Sequence, residues 1–288
     1  MGTVFNRITI VGLGLIGGSW GLALRERGSA ARRVGCDKPE VLERALAAGV
    51  VDEGFPEAAT AVRNSDLVIL ATPVGSILDL LPRLKSAASP RALVTDVGST
   101  KRLICQRARE IFGYEPLFLG GHPLAGKERS GIENASAALF DGARYVLTPL
   151  LPDHLEDARV KTFSALLAAV GAKPFVTEAS SHDRAVAFLS HLPQLVSSGL
   201  ASMVAGQGTE DSFPLELAAS GFRDVTRLAE SPYNLWRDIC LTNIENIQAA
   251  LDALIEKLEA MKLHLSDREL ERDFTRAFKL REKLRELK

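Results

Sequence analysis

The sequence predicts an α/β fold: a doubly wound N-terminal domain over residues 1–178 and an all-α C-terminal domain over residues 179–288. Three observations carry this. Through the first 178 residues, short apolar runs alternate with amphipathic stretches, the pattern of a sheet covered by helices. A glycine turn, Gly12-Leu13-Gly14-Leu15-Ile16-Gly17, lies between the first apolar run and the first helix-like stretch. After Thr177 the strand-like runs stop and helical periodicity takes over.

In chain order, strands are expected at Arg7–Val11, Arg32–Cys36, Leu67–Ala71, Ala92–Asp96, Leu117–Leu119, Ala143–Leu147 and Lys173–Thr177. Amphipathic stretches such as Val41–Ala48, Ile77–Leu84 and Leu155–Val170 fall between them. In the second region, Ala185–Ala205 reads as one apolar helix kinked at Pro193, because proline lacks a backbone donor and crowds the preceding turn. Another helix begins near Leu235. Ile244, Ile247, Leu251, Leu254, Leu258, Met261 and Leu265 then recur at alternating spacings of three and four, a heptad seam. Such a seam packs within one chain or against a second copy; its length in so small a domain favours a subunit interface. Ser266 and Glu269 have the spacing of a capping box that opens a last, highly charged helix.

With 288 residues, 46% of them hydrophobic, the chain has material for two ordinary cores. Lysine and arginine number 35 against 36 acidic residues, so no basic excess attracts nucleic acid or a membrane surface. Cys36, Cys105 and Cys240 are far apart and form no CxxC pair. No disulfide framework and no metal site are expected, and a reducing compartment fits. The N-terminal segment lacks a signal-type pattern, and no run is apolar enough to span a bilayer. Asn6 breaks the myristoylation pattern that Met1-Gly2 would open. The expectation is a cytoplasmic protein whose partner is a small molecule.

The glycine turn is GxGxxG in a strand–turn–helix context. Gly12 makes the tight turn, Gly14 lets backbone approach a pyrophosphate, and Gly17 lets the helix pack on the strand. Amides at the helix start, around Leu15 and Ile16, would face the negative charge. Asp37 stands twenty residues beyond Gly17, just past the second strand. A carboxylate there accepts hydrogen bonds from ribose hydroxyls and repels a 2′-phosphate. The pattern predicts a Rossmann-type domain that binds NAD rather than NADP, although Lys38 works against that preference.

Three more segments follow strands of the same sheet: Ala71-Thr72-Pro73-Val74, Asp96-Val97-Gly98-Ser99-Thr100-Lys101, and Gly120-Gly121-His122-Pro123 with the Leu124–Glu128 stretch after it. In an open α/β sheet, ligands bind outside the carboxyl ends of the strands. Thr72, Pro73, Ser99 and His122 would then share one rim with the cofactor. A histidine that takes a hydroxyl proton as hydride leaves suits the oxidation of an alcohol. The glycines before His122 read as room for a ligand. The plain alternative is a strand-to-loop turn carrying a surface histidine.

Together, GLGLIGGS at 12–19, DVGSTK at 96–101, GGHPLAGKE at 120–128, SHLPQ at 190–194 and GFRDVTRLAESP at 221–232, followed by Trp236, resemble the prephenate dehydrogenase family. That family also includes arogenate and cyclohexadienyl dehydrogenases. The resemblance implies an NAD-dependent oxidative decarboxylation in tyrosine biosynthesis. Hydride leaves the ring carbinol of prephenate, carbon dioxide departs, and the ring aromatises to 4-hydroxyphenylpyruvate.

It also implies roles for residues. His122 is the base, or the acceptor that polarises the ring hydroxyl; Ser99 stands between hydroxyl and nicotinamide, or caps the helix after Thr100, or both. Arg227 binds a substrate carboxylate through two parallel hydrogen bonds, where the plain alternative is a salt bridge with Asp224. Glu128 and Asp224 close the pocket entrance, or are solvated loop charges. Trp236 lies near the substrate side chain, contributed across a dimer, or is an ordinary core residue. His191 and Gln194, one helical turn apart, face the same way and meet the substrate side chain. Many members of the family carry a second histidine where this chain has Gln194. A neutral glutamine gives arogenate's ammonium no acidic partner, so the expected substrate is prephenate. His182 heads a His-Asp pair and reads as a cap or a domain contact; His154 and His264 read as surface residues. A homodimer through the helical domain, competitive inhibition by tyrosine, and no regulatory segment beyond the helical region complete the expectations.

Two rivals follow from the residues alone. A β-hydroxyacid dehydrogenase would use a lysine in the helical domain, and Ala185–Ala205 has none. A dinucleotide sensor would need the glycine turn and Asp37, but not His122, Ser99 and Arg227 together.

Overall fold

The computed structural model describes residues 5–126, 130–206 and 215–286. Eight strands form one sheet: β1 (Arg7–Val11), β2 (Arg32–Cys36), β3 (Glu53–Phe55), β4 (Leu67–Leu70), β5 (Leu93–Asp96), β6 (Leu117–Pro123), β7 (Arg144–Pro149) and β8 (Lys173–Val176). Their order is β3-β2-β1-β4-β5-β6-β7-β8, so the chain reverses its direction of travel between β1 and β4. Neighbours are parallel except β6 and β7.

Alternation along the strands feeds two cores. Ile8, Ile10, Leu67 and Ile69 pack with Trp20 of α1 (Leu15–Glu26) and Phe163 of α6 (Ala158–Ala169). Val11, Val68 and Leu70 face the opposite core, with Leu81 of α4 (Val74–Leu84) and Ile104 of α5 (Arg102–Phe112). Burial on both faces explains why these strands read as nearly continuous apolar runs. α2 (Pro39–Ala47) and α3 (Ala58–Ala61) flank the β2–β3 edge.

Two features of the sheet depart from the sequence reading. β3 was not expected: its three residues, Glu53-Gly54-Phe55, are half-buried at the sheet edge and carry no alternating apolar signal. β6 runs on through His122 to Pro123 and pairs antiparallel with β7, with His122 opposite Val146. His122 is therefore held in a strand, not in a loop. The glycines before it serve packing rather than ligand approach. A Cβ at Gly120 would lie 2.2 Å from the Thr148 hydroxyl, and one at Gly121 would lie 2.5 Å from the Asp96 carbonyl.

The helical region comprises α7 (Ala179–Val186), α8 (Leu192–Ala205), α9 (Ser220–Thr226), α10 (Tyr233–Thr242), α11 (Ile244–Leu263) and α12 (Arg268–Glu286). α7 and α8 are joined by a π-helical turn, Ala187–His191, immediately before the Leu192-Pro193 step. The wide turn accommodates the proline by inserting a residue into the hydrogen-bond ladder. A single 3₁₀ turn, Arg227–Glu230, follows α9. Asp267, not Ser266, opens α12: its carboxylate accepts from the Glu269 amide at 2.9 Å. His154 is only 8% exposed and so is not a surface residue.

The core of this region is small: Ala187, Ile247 and Ala250. Of the heptad seam only Ile247 is buried, whereas Leu258 is 53% exposed. Packing within one chain therefore uses only the start of the seam, Ile247 with Leu251 beside it, and leaves Leu258 and Leu265 exposed. Among the described residues, no helix is long and apolar enough to cross a membrane.

Candidate active site

The glycine turn is shaped by what no side chain could occupy. Gly12 has φ +93°, a conformation L-residues avoid, and its amide donates to the Cys36 carbonyl at 2.8 Å. A Cβ at Gly17 would lie 1.8 Å from the Gly12 carbonyl oxygen, so α1 can start against β1 only with glycine there. At Gly14 a Cβ would meet nothing within 4 Å, because that position faces open space. No side chain caps α1, and its first amides are available to an anion. The Asp37 carboxylate accepts from the Leu13 amide at 2.6 Å and from Lys38 at 2.7 Å, and so it braces the turn from β2's end.

A cavity of about 470 Å³ opens beside this turn. Gly14, Leu15 and Ile16 line it, with Thr72, Pro73 and Ser99 from the next two loops. Ser231, Pro232 and Leu235 of the helical region form its other wall. The Thr72 hydroxyl is buried without a hydrogen-bond partner among the described residues. An uncapped helix start, a glycine facing open space and an orphaned hydroxyl fit a dinucleotide.

The loop after β5 joins this cavity to the histidine. Asp96 and Lys101 are fully buried and paired with each other. The Lys101 ammonium also donates to the Gly121 carbonyl at 2.7 Å, and the Asp96 carboxylate accepts from the Gly121 amide at 3.1 Å. Both polar groups of the residue before His122 are thus pinned by one ion pair. His122 does not itself line the cavity.

His122 Nδ1 lies 2.8 Å from Nε2 of His182, whose Nδ1 lies 2.8 Å from an oxygen of Asp183. The Asp183 carboxylate also accepts from the amides of Lys101 (2.7 Å) and Arg102 (2.9 Å) at the start of α5. Asp183, rather than Ser99, caps that helix. Asp238 of α10 likewise accepts from the Gly75 amide at the start of α4, at 2.9 Å. Two carboxylates of the helical region thereby occupy the two helix starts next to the cavity, and this fixes one domain on the other. Burial first, then the neighbouring His182, Lys101 and His191, hold His122 well below the usual histidine range. It is neutral at pH 7.

His191 and Gln194 are buried together near Trp236. The His191 ring meets Trp236 edge-on at 5.8 Å and lies 3.3 Å from the Asn243 amide. Burial is the main reason its pKa falls to about 4. The Trp236 indole nitrogen is buried without a partner among the described residues. The Gln194 amide donates to the Leu228 carbonyl at 2.7 Å, and so it holds the 3₁₀ turn that begins at Arg227. Arg227 and Asp224 are exposed on that turn and on α9. Glu128 lies outside the described residues.

Sequence reasoning missed the roles of Asp96, Lys101 and Asp183. Asp96 and Lys101 sit inside the DVGSTK segment, but a charged pair five residues apart at a strand-to-loop step reads as surface. The proximity of His182 to His122 depends on how α7 meets β6, which local patterns do not encode.

A cleft that opens on a GxGxxG turn between a doubly wound sheet and a helical region, with a neutral histidine on the neighbouring strand, is the plan of a two-domain dehydrogenase. Residues 20–176 match the prephenate dehydrogenase nucleotide-binding domain, and residues 178–280 match the prephenate dehydrogenase dimerization domain. The chain belongs to the prephenate dehydrogenase family. It is 34% identical to the prephenate dehydrogenase of Bacillus subtilis over 95% of its own length and 74% of the relative's. It is 30% identical to the cyclohexadienyl dehydrogenase of Zymomonas mobilis over 93% and 91% of the two chains. Among solved structures, Aquifex aeolicus prephenate dehydrogenase in complex with hydroxyphenyl propionate and NAD+ aligns with a TM-score of 0.87, at 30% identity over 99% of each chain. Synechocystis arogenate dehydrogenase aligns at 0.80, with 33% identity over 96% of this chain and 99% of that one. A Mycobacterium tuberculosis 3-hydroxyisobutyrate dehydrogenase, representing the β-hydroxyacid rival, reaches 0.53 at 17% identity and shares the fold alone.

Proposed function

We propose that this protein catalyses the NAD-dependent oxidative decarboxylation of prephenate to 4-hydroxyphenylpyruvate, a step of tyrosine biosynthesis. The observation that carries this reading is a neutral His122 pinned beside a dinucleotide cleft in a chain of this family. The dinucleotide is held by Gly12, Gly14, Leu15, Ile16 and Gly17, by Asp37 at the ribose, and by Thr72 and Pro73 on the facing loop. NAD bound there supplies the acceptor for the hydride of the ring carbinol.

His122 takes the hydroxyl proton as the carbinol is oxidised. Ser99 orients that hydroxyl from the cavity wall. Loss of carbon dioxide leaves its electron pair in the ring, which aromatises, and the proton returns from His122 to the ring oxygen. Arg227 orients a substrate carboxylate. Clamping the departing carboxylate too firmly would oppose its loss, since its charge must flow into the ring. His191 and Trp236 meet the side chain of the substrate, and Gln194 supports them and the Arg227 turn. Asp224 and Glu128 stand at the entrance.

Neutral Gln194 favours the keto side chain of prephenate over the ammonium of arogenate. We place the domain boundary at Glu178, after β8. The chain works as a homodimer through the helical domain, where the exposed seam and Phe274 and Phe278 of α12 supply the apolar surface. Tyrosine, a product analogue, competes for the substrate pocket, and the enzyme works in the cytoplasm. The deciding experiment is NADH formation on adding prephenate or arogenate, with NAD and NADP compared. Rapid reduction of NAD by prephenate is expected. Preference for arogenate would overturn the reading of Gln194, and binding of NAD without reduction by either substrate would overturn the activity.

A further inference from the structure

We propose that Asp183 and His182 are positioning residues that fix the tautomer of His122, holding its proton on Nδ1 and leaving Nε2 as the reactive base. This rests on the reading of His122 as the base. With His182 neutral beside the Asp183 carboxylate, the chain of donors and acceptors has one consistent assignment, whereas a charged His182 would reverse its bond to His122. A carboxylate only accepts, so the Asp183 oxygen 2.8 Å from His182 requires the proton on His182 Nδ1. A neutral imidazole has one N–H, so His182 Nε2 is an acceptor. His122 Nδ1, 2.8 Å away, must then be the donor. His122 is neutral, so its Nε2 carries the lone pair.

The arrangement is rigid. His182 and Asp183 are buried at the domain junction, and the two rings cross edge-to-face at 77°. Asp183 is fixed by the first amides of α5, and its own carbonyl accepts from the Asn243 amide at 2.8 Å. Charged or titratable groups facing this cluster are Lys101 from the β5–α5 loop, Cys105 of α5 and His191 from the π-helical turn.

The reaction fits this assignment without further partners. The substrate O–H bond breaks and its proton binds His122 Nε2. The hydride goes to NAD. After carbon dioxide leaves, the same proton returns to the ring oxygen, so no net proton is released. The Nδ1 proton never moves. While His122 is cationic, its Nδ1–H bond to His182, backed by the Asp183 carboxylate, shares the charge. In this respect His182 does for His122 what an orienting carboxylate does for the base of a hydrolytic triad.

The test uses the full chain carrying ¹⁵N-labelled histidine, with His182→Gln and His182→Leu variants. Two-bond proton–nitrogen spectra of the wild type should show His122 protonated on Nδ1 and bare on Nε2. Glutamine can still accept from His122 Nδ1–H, and leucine cannot. We expect His182→Leu to lower kcat about 100-fold and shift His122 towards the Nε2–H form, with NAD affinity unchanged. His182→Gln should keep the tautomer and recover most of the rate. An Nε2-protonated His122 in the wild type overturns the proposal, as does a leucine variant with wild-type rate and spectrum. Equal losses in both variants with an unchanged spectrum also overturn it. If the leucine variant fails to fold, the wild-type and glutamine spectra decide. A wild type that reduces no NAD with prephenate would sink the activity instead, and the spectra would still read the tautomer.

Discussion

Between Gly12 and Gly17 the site is backbone, and it lies within one domain; around His122 it is side chains, drawn from two. The glycine turn is defined by excluded volume: a methyl at residue 17 would overlap the Gly12 carbonyl, whereas one at residue 14 would touch nothing. The histidine side is defined by partners. Lys101 and Asp96 hold Gly121, His182 holds His122, and Asp183 reaches back from α7 to cap α5. The contrast teaches that binding of the cofactor and handling of the proton are separable. Changes at His182, which touches His122 and does not line the cavity, should alter the chemistry without altering the hold on NAD.

The largest effect should come from His122→Asn. An asparagine keeps a polar group in β6 but is no base near neutral pH. We expect kcat to fall about a thousandfold, the middle of the range for a general base. NAD affinity, read by fluorescence titration, should be unchanged. A parallel loss of NAD affinity would mean that the two halves are one unit.

Gly14→Val tests the other half. The new side chain projects into space that the protein leaves open, so thermal stability should hold. The Kd for NAD should rise about tenfold to a hundredfold, because the backbone can no longer come close to a pyrophosphate. Unchanged affinity would show that the dinucleotide runs elsewhere. Smaller again, Leu258→Glu places a charge on the exposed seam of α11. Sedimentation at micromolar concentration should show a dimer for the parent chain and a monomer for the variant, and an unchanged dimer would move the interface off the seam.

The same contrast governs what could be read before the fold was known. The first half was legible because its rule is local. Gly12, Gly14 and Gly17 lie within one turn, and Asp37 follows at the end of β2. All of them fell where the sequence put them, and so did seven of the eight strands. His122 and Ser99 were legible as residues but not as geometry. The Gly120-Gly121 pair looked like a ligand-binding turn, yet it is the thin part of a strand squeezed between β5 and β7. His182 was visible only as a cap or a domain contact, and it proved to touch His122. Gln194 was read as a substrate contact, while its amide is committed to the Leu228 carbonyl. Each of these depends on long-range packing between elements that are separated by tens of residues.

The smallest effect, and the sharpest on the histidine half, is the pH dependence of folding. His122 and His191 are both held below the usual histidine value of 6.5, His191 at about 4, chiefly by burial. Above pH 6.5 both are neutral whether the chain is folded or unfolded, so they contribute no slope. As pH falls below 6.5 the unfolded chain binds these protons and the folded chain does not, so stability declines. The decline from His191 ends near pH 4, where its folded form also titrates. Asp52 and Asp157, lowered by Arg33 and Arg159, lose their contribution only as pH falls below about 3.8, outside this window. His264 opposes the trend: Asp267 raises its pKa, so the pair gains stability as pH falls through that raised value. Thermal melts from pH 8 to pH 4.5 should therefore show a loss that begins below pH 6.5, and His191→Gln should flatten it. A melt that gains stability on acidification would show that the buried histidines carry their protons in the folded state. A His122 already charged at neutral pH could not act as the base.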